Sequence, residues 1–510
     1  MPERAPESRP ELWELPAEEI ARGVAAGAWS AAEVLESALA RTARVEPLLA
    51  AYLALYEDEA RERAAEIDRR VAAGQAVGPL AGVPIALKDN LSVAGRPVTC
   101  ASRILEGYVA PYTATAVVRL LEAGAVVLGR ANMDEFAMGS SCENSAFQRT
   151  RNPWDLSTVP GGSSGGPAAA VAAGSVPLSF GSDTGGSIRQ PAALCGVVGL
   201  KPTYGRVSRY GLVAFASSTD QIGPLSRTVR DAALGLAVIA GPDVNDSTCA
   251  GRPAADYLAG IERGIAGLRV GVFREIADEG LPAAARASWR RSLACLERAG
   301  ARLVEVSVPS LPAAVAVYYV VAMCEASSNL ARFDGVRYGR RAAAPRSLAD
   351  LYFESRSEGF GPEVKRRIML GTFALSSGYY EAYYGRAREV LERMRGELDA
   401  AFGRADLLAT PTTPGGAFAL GERVDDPLAM YLSDVYTTPA SLTGLPAVAV
   451  PSGADERGLP LSVQLMAPPF AEGLLFRAAR AFEREIGWRV APPLESSRQV
   501  AREAAREAVP

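Results

Sequence analysis

Two glycine-rich serine segments and one lysine supply the residue types of a hydrolytic site. Ser163 lies within Gly-Gly-Ser-Ser-Gly-Gly at 161–166, and Ser187 within Gly-Ser-Asp-Thr-Gly-Gly-Ser-Ile-Arg-Gln-Pro at 181–191. Lys88 follows the apolar run at 83–87. The 510 residues contain no histidine, so a serine nucleophile needs a base other than imidazole. A lysine that has lost its proton is a chemical alternative, and these residues therefore favour a serine–lysine hydrolase.

The second segment also has the composition of an oxyanion hole. Glycine lets the backbone turn sharply and approach a substrate closely, so the amides of Thr184, Gly185 and Gly186 can converge beside the Ser187 hydroxyl. Losing one such donor typically raises a reaction barrier by about 2.7–4 kcal/mol. A plain glycine-rich turn is the alternative interpretation. A phosphate loop is a weaker one, because no Gly-Lys-Ser/Thr follows either segment.

Lys88 alone is typical of a solvated strand end or of a partner for a carboxylate. To act as a base it must be neutral near pH 7, a state that burial favours. Asp89 follows it, but neighbours on a strand point to opposite faces, so the two need not pair. The interpretation of Lys88 as a base therefore depends on the two serine segments.

Composition narrows the function classes. The formal charge of −4 argues against a chain that itself binds nucleic acid, because phosphate binding needs clustered Lys and Arg. An uncharged apolar stretch such as 313–324 is shorter than the ~20 residues of a membrane helix, and the polar N-terminus lacks a signal-peptide core. Six scattered cysteines without histidine predict reduced thiols and no metal site. We therefore expect a cytoplasmic protein with no membrane partner.

The elements that must position these residues alternate along the chain. Helical patterns fill 11–73, and further helices are predicted at 116–122, 168–173 and 282–299. The predicted strands lie at 84–87, 125–128, 176–180, 268–273, 303–306, 406–409, 447–450 and 461–465. Strands that alternate with helices indicate an α/β fold, with a large mixed β-sheet sandwiched between helices (α/β/α).

The chain divides into a core segment and two tails. We predict a single domain over 11–490, with an N-terminal helical layer at 11–73 and a cap or lid at about 311–440, a stretch rich in Tyr, Ser and Arg. Residues 1–10 are predicted to be a disordered tail, and 491–510 a second tail.

The serine segments resemble those of the amidase signature family of Ser–Ser–Lys hydrolases. The resemblance extends over about residues 12–490, so the family's fold is expected for nearly the whole chain. Within the family it is nearest to the glutamine-hydrolysing A subunits of tRNA-dependent amidotransferases. The other stretches that carry it are 132–139, 151–155, 199–212, 220–224, 328–335 and 366–372.

The resemblance implies a role for each residue of the candidate site. Ser187 resembles the nucleophile, Ser163 the bridging serine that follows a cis peptide bond, and Lys88 the base. The amides of Thr184, Gly185 and Gly186 would hold the oxyanion. Asp183 and Arg189 would brace the loop as an ion pair.

The resemblance also implies a binding site for free glutamine. Arg367 is expected to bind the α-carboxylate and Asp434 the α-ammonium, with Tyr318 lining the same pocket. An arginine fork suits a carboxylate, and a carboxylate suits an ammonium group. Surface ion pairing or core packing is the ordinary alternative for each of the three residues.

The implied function is that of a glutaminase that supplies ammonia to convert Glu-tRNA(Gln) to Gln-tRNA(Gln), Asp-tRNA(Asn) to Asn-tRNA(Asn), or both. The chain would act in a heterotrimer with subunits B and C and meet charged tRNA only through that complex. No cofactor is expected in this chain, whereas ATP and Mg²⁺ are expected in the partner's reaction.

Three other functions remain as alternatives. A free-standing amidase for another small amide would share Lys88, Ser163 and Ser187 but would not need both Arg367 and Asp434. A non-catalytic interaction protein on the same fold is disfavoured by the intact triad. A nucleotide-binding module is the most distant alternative.

Overall fold

A mixed β-sheet organises the structure, a computed structural model that describes residues 11–276, 280–488 and 491–494. Among the described residues it has eleven strands in the order β1-β3-β2-β4-β6-β5-β10-β11-β9-β7-β8. β2 runs parallel to both β3 and β4, β7 runs parallel to β8 and β9, and the other pairs are antiparallel. The strands are β1 (Tyr52–Leu55), β2 (Pro84–Lys88), β3 (Val126–Ala131), β4 (Leu178–Asp183), β5 (Val198–Lys201), β6 (Gln221–Ser226), β7 (Arg269–Phe273), β8 (Arg302–Val306), β9 (Leu407–Pro411), β10 (Ala447–Ala454) and β11 (Pro460–Met466).

Helices cover both faces of this sheet. Along β9, Leu407 and Ala409 belong to one buried apolar cluster and Leu408 to another, as expected when successive side chains point to opposite faces. The first cluster includes residues of α2, α3, α7, α8 and α15, and the second includes residues of α9, α11, α12 and α14. The helices are α1 (Ala17–Ala25), α2 (Ala31–Leu49), α3 (Glu57–Ala72), α4 (Thr115–Glu122), α5 (Gly165–Ala172), α6 (Arg189–Cys195), α7 (Val229–Ile239), α8 (Ala283–Arg298), α9 (Ala314–Asn329), α10 (Leu348–Gly359), α11 (Pro362–Leu375), α12 (Arg386–Arg404), α13 (Pro427–Leu432), α14 (Thr438–Leu442) and α15 (Glu472–Ile486). The predicted α/β/α architecture is confirmed.

Three strands were not predicted from the sequence. β1 lies inside the segment expected to be entirely helical, and it pairs with the edge of the sheet at β3. β5 has only four residues, and β6 contains both Gly223 and Pro224, which are residues typical of loops. The predicted cap at about 311–440 forms helices α9 to α13 but also contributes β9 to the central sheet. The tail at 1–10 and most of the tail at 491–510 lie outside the described residues.

One apolar helical stretch is longer than the sequence pattern suggested. Leu311–Arg332 is long and apolar enough by composition to cross a membrane, and half of its most apolar window is buried inside the fold. It contains α9, which packs against α11 and α12. It is therefore a core helix of the second cluster in this structure.

All six cysteines are free thiols.

The sheet brings the two halves of the candidate site together. β2 and β4 are parallel neighbours, with Leu87 opposite Phe180, so their carboxyl ends meet at one edge of the sheet. Lys88 ends β2, and the loop that carries Ser187 leaves the end of β4 at Asp183 and leads into α6. Ser163 lies just before α5, whose first residue is Gly165.

Candidate active site

Lys88 is completely buried and aimed at Ser163. Its Nζ lies 2.7 Å from Ser163 Oγ, 3.0 Å from Ser182 Oγ and 3.2 Å from the Ser182 carbonyl oxygen. Asn90 Nδ2 donates to the same Ser182 hydroxyl at 2.8 Å. The adjacent Asp89 forms an ion pair with Arg130 at 2.8 Å, so it is not the partner of Lys88. Among the described residues, the lysine therefore has only neutral oxygens as hydrogen-bond partners.

Burial gives Lys88 the protonation state that a base needs. Removal from water lowers the pKa of Lys88 to about 7, and the nearby carboxylate of Asp134 opposes this effect only in part. A lysine with this pKa is substantially neutral at physiological pH, whereas an exposed lysine is almost entirely charged. Its free electron pair can then accept a proton from the Ser163 hydroxyl.

The two serine segments lie side by side. The amide of Ser164 donates to the carbonyl oxygen of Ser187 at 3.1 Å, and the peptide bond between Gly162 and Ser163 is cis, as the resemblance implied. The side chains of Lys88 and Ser163 are thus hydrogen-bonded to each other, while Ser187 is connected to the Ser163 segment by a backbone hydrogen bond. Within the described residues the Ser187 hydroxyl makes no hydrogen bond, and the residue is 7% exposed.

The loop after β4 presents unused amide donors. The amides of Thr184, Gly185 and Gly186 have no acceptor among the described residues. The loop is fixed by other atoms: Thr184 Oγ1 donates to Asp220 at 2.7 Å, and the Gly185 carbonyl accepts from Thr437 Oγ1 at 2.7 Å. Donors held in place without a protein partner are what an oxyanion hole requires.

Neighbouring side chains require glycine at two positions of this loop. A Cβ on Gly185 would lie 2.5 Å from the Tyr318 ring, and one on Gly186 would collide with Thr437. Gly186 also has φ of +148°. The two glycines therefore allow close packing of the loop against the pocket wall, as well as the turn itself.

Asp183 and Arg189 form a completely buried ion pair at the base of the loop. The guanidinium binds both carboxylate oxygens at 2.9 Å, and it also donates to Gln464 and to the Thr437 carbonyl. Burial by itself would raise the pKa of Asp183, but the charge and hydrogen bonds of Arg189 hold the pKa below its usual value. The predicted brace is present, and its contacts are with the scaffold of the loop.

Replacing Arg189 with Met should destabilise the protein by about 3–5 kcal/mol, because Asp183 is left buried without its partner. The measurement is the midpoint of urea unfolding. Arg274→Met is the matched control, because both side chains of the Arg274–Glu305 ion pair are exposed. That pair should contribute less than about 1 kcal/mol to the free energy of unfolding. An Arg189→Met variant as stable as the control would refute the bracing role.

Asp434 faces the same loop from the opposite side. Its Oδ2 accepts from Ser140 Oγ at 2.5 Å, while its Oδ1 is buried with no hydrogen-bond partner among the described residues. A Cβ on Gly186 would lie 3.2 Å from this free oxygen, so the oxygen is directed at the Ser187 loop. Burial raises the pKa of Asp434 to about 7. A cationic group bound at this oxygen would restore the charged carboxylate.

Arg367 completes the pocket from α11. It is 2% exposed, and its Nε donates to Glu363 at 2.7 Å. Its guanidinium carbon lies 5.1 Å from the ring centre of Tyr319 and 5.3 Å from that of Tyr431. Among the described residues its two terminal nitrogens have no hydrogen-bond acceptor, so they remain available to a carboxylate. The Arg367 charge also lowers the pKa of Asp434, although burial is the larger effect there.

The structure adds residues that the sequence did not single out. Ser182 Oγ hydrogen-bonds to Lys88 Nζ, Ser140 donates to Asp434, and Thr437 donates to the Gly185 carbonyl. Gln190 accepts from the Gly162 amide at 2.9 Å and donates to the Ser140 carbonyl at 2.9 Å. Ser182 and Gln190 lie within the second serine segment, but nothing in their residue types marks these contacts. The described residues contain no group of three or more Cys, Asp or Glu side chains arranged to hold a metal ion.

The chain is similar to known proteins over most of its length. A family model described as Amidase matches residues 33–476. The chain belongs to the amidase family.

Amidase relatives cover almost the whole chain. The A subunit of glutamyl-tRNA(Gln) amidotransferase from Anaeromyxobacter dehalogenans (strain 2CP-C) is 56% identical over 484 residues, which is 95% of this chain and 98% of the relative. The crystal structure of the corresponding protein from Thermotoga maritima is 44% identical, with a TM-score of 0.78 over 95% of this chain and 98% of that one. The native peptide amidase of Stenotrophomonas maltophilia is 33% identical, with a TM-score of 0.80 over 94% of this chain and 99% of that one. The amidase fold is thus shared by enzymes named for different substrates, and the substrate must be argued from the pocket.

Proposed function

We propose that this amidase is the glutaminase subunit of a tRNA-dependent amidotransferase. The observation that carries the proposal is an arginine and a carboxyl group, both with free polar atoms, on the walls of the Ser187 pocket. Within the part of the chain that the structure describes, Arg367 has two unbonded guanidinium nitrogens and Asp434 has a buried oxygen without a partner. A free amino acid has the matching carboxylate and ammonium groups, and the glutamine side chain can extend between them towards Ser187. The similarity to curated amidotransferase subunits supports the same substrate.

The catalytic steps follow from the contacts of Lys88. Neutral Lys88 accepts the proton of Ser163, and Ser163 accepts the proton of Ser187 as the Ser187 oxygen attacks the side-chain amide carbon. The amides of Thr184, Gly185 and Gly186 donate to the oxygen that becomes negative. Protonation of the leaving nitrogen by the same relay releases ammonia and leaves a γ-glutamyl ester on Ser187. Water then attacks the ester, which gives glutamate and regenerates the serine.

The destination of the ammonia is part of the proposal. The curated relatives are named as A subunits of glutamyl-tRNA(Gln) amidotransferases, which supports further subunits and the conversion of Glu-tRNA(Gln). The proposal extends to a heterotrimer with subunits B and C, which would convert Glu-tRNA(Gln), Asp-tRNA(Asn) or both. ATP and Mg²⁺ would act in one of the partner subunits. Charged tRNA would meet this chain only through the complex, and the complex would work in the cytoplasm. No role in membranes is proposed.

An exposed aromatic surface supports the presence of a partner chain. Met369 is 70% exposed, and Phe373, Tyr379 and Tyr383 are each 45–47% exposed. The three rings contact one another, with centroids 4.4–6.2 Å apart. Contiguous apolar surface of this kind commonly marks a protein interface.

A free-standing amidase is the second candidate, and the similarity to a peptide amidase favours it. Such an enzyme would share the Lys88–Ser163 contact. It would hydrolyse amides that lack an α-carboxylate as well as it hydrolyses glutamine, and partner chains would not change its rate.

Replacing Arg367 with Ala should raise the KM for glutamine by about 100-fold with little change in kcat, because a charged hydrogen-bond pair to the substrate carboxylate is lost. Steady-state ammonia release measures both constants. Arg366→Ala is the matched control: Arg366 pairs with the same Glu363 but is 43% exposed, and its removal should leave KM within about threefold of wild type. Equal KM values for the two variants would contradict the proposed glutamine site.

A further inference from the structure

Glu135 is a buried carboxylate that makes no hydrogen bond to Lys88, Ser163 or Ser187 among the described residues. It is 1% exposed. Its two oxygens accept from the backbone amide of Gly361 at 2.9 and 3.1 Å, and Oε1 also accepts from the Ser102 hydroxyl. Gly361 is the residue that immediately precedes α11. The carboxylate therefore binds the start of that helix, where a negative charge is favoured by the exposed amides and the helix dipole.

The same helix carries Arg367 at its second turn. The first turn holds Glu363, which accepts from Arg367 Nε at 2.7 Å and from the Tyr431 hydroxyl at 2.9 Å. The orientation of the guanidinium thus depends on where the first turn of α11 lies. At the start of α11, the Gly361 amide donates to both oxygens of the Glu135 side chain.

The other side of Glu135 is attached to the catalytic segment. The amide of the preceding residue, Asp134, donates to the Ser163 carbonyl at 3.2 Å, and its carboxylate accepts from the Cys142 amide at 2.9 Å. The amide of the following residue, Phe136, donates to the Cys100 carbonyl at 2.9 Å. The Asp134 amide ties the backbone beside Glu135 to Ser163, and the Phe136 amide ties it to Cys100. The Glu135 side chain therefore forms a short connection between the bridging serine and α11.

We propose that Glu135 is a positioning residue for substrate binding: by holding the first turn of α11 against the Ser163 segment, it sets the distance between Arg367 and Ser187. This inference rests on the proposed glutaminase function. Glu135 does not contact the substrate. It acts through Arg367, and its effect should appear only with substrates that have an α-carboxylate.

The test compares Glu135→Ala, Glu135→Gln and a control variant in the full-length protein. Glu135→Ala should raise the KM for glutamine by about 10-fold, with kcat changed by less than about threefold. Glu135→Gln keeps one oxygen that can accept from Gly361, so it should restore most of the affinity. The control is Glu46→Ala, which also removes a mostly buried carboxylate that accepts from two backbone amides, those of Ala51 and Tyr52. It should lower the melting temperature without changing KM.

Two further measurements separate positioning from general damage. The KM for 4-aminobutanamide, which keeps the amide and the amino group but lacks the carboxylate, should be the same for wild type and Glu135→Ala. In an Arg367→Ala background, Glu135→Ala should add no further increase in the KM for glutamine.

Each outcome decides the matter. An unchanged KM for glutamine in Glu135→Ala would overturn the inference, as would an increase that persists without Arg367. If Glu135→Ala does not fold, Glu135→Gln and Glu135→Asp replace it in the test, because the aspartate side chain is too short to reach Gly361. The role is supported if Glu135→Gln has the KM of wild type and Glu135→Asp has a raised KM. Any other combination of the two KM values overturns it. Wild-type protein that fails to hydrolyse glutamine would overturn the proposed function itself, a result distinct from the others.

Discussion

Replacing Ser187 with Ala abolishes glutamine-dependent amidation while amidation from added ammonia persists in the assembled complex. The hydroxyl is the atom that becomes acylated, and removal of a serine nucleophile commonly lowers kcat by roughly 10⁴-fold or more. The partner's reaction needs only ammonia, which can be supplied from solution. The measurement is tRNA amidation with glutamine and with ammonium chloride, each at saturating concentration.

This pair of reactions carries its own control. Persistent ammonia-dependent activity shows that the Ser187→Ala chain folds and assembles. Loss of both activities in an assembled complex would contradict the division of labour between this chain and its partners. Full activity with glutamine would contradict the assignment of Ser187.

Replacing Lys88 with Met should abolish glutamine hydrolysis and at the same time stabilise the fold. The variant lacks the amine that bonds to the Ser163 hydroxyl, and a loss of about 10⁴-fold in kcat is expected. Stability should rise because an ammonium group is no longer buried, although the lost bonds to Ser163 and Ser182 offset part of the gain. The net gain at pH 6 should be about 2–4 kcal/mol.

The sign of the pH dependence follows from the lowered pKa. Lys88 titrates with a pKa of about 7 in the folded chain, against a usual value of 10.5, so the unfolded chain binds more protons between these values and wild-type stability rises with pH across that window. The stabilisation by Lys88→Met is therefore largest below pH 7 and falls as the pH rises towards 10.5, reaching zero before that value because the bonds to Ser163 and Ser182 are lost. The activity of the wild type should rise with pH through about 7 as Lys88 becomes neutral. Ionisation of Asp434 should contribute to the same increase in activity.

A second buried lysine provides the control. Burial lowers the pKa of Lys201 to about 7 as well, and its Nζ donates only to the Pro202 carbonyl at 2.9 Å among the described residues. Lys201→Met should show the same stabilisation below pH 7 while most activity remains. Urea unfolding at several pH values and the pH profile of kcat/KM are the measurements. Equal activity in Lys88→Met and Lys201→Met would exclude Lys88 as the base.

Much of the fold was predictable from local patterns. A continuous apolar run such as β2 and an amphipathic helix such as α8 are recognisable in the sequence, and both lie close to their predicted bounds. The strands that were missed, β1, β5 and β6, are short or contain Gly223 and Pro224. Their extended conformation comes from pairing with neighbours in the sheet, as in the ladder between β4 and β6, and a linear pattern does not contain that information.

The candidate site was predictable to the extent that it is local. Ser163, Ser187 and the Thr184–Gly186 amides lie within two short glycine-rich segments. The pocket for glutamine depends on contacts such as Ser140 to Asp434 and Thr437 to Gly185, which join residues 294 and 252 positions apart. Arg367 and Asp434 were therefore predicted only through the family resemblance. The unbonded atoms of Arg367 and Asp434, which indicate a binding site, are visible only in the structure.

The most direct test of the glutaminase assignment is ammonia release from glutamine by the purified chain, alone and with subunits B and C, ATP and charged tRNA. We predict weak release by the isolated chain and a strong increase in the assembled complex, together with loss of the activity in Ser187→Ala. Vigorous hydrolysis of other amides that partners do not change, or no release from glutamine under either condition, would contradict the account.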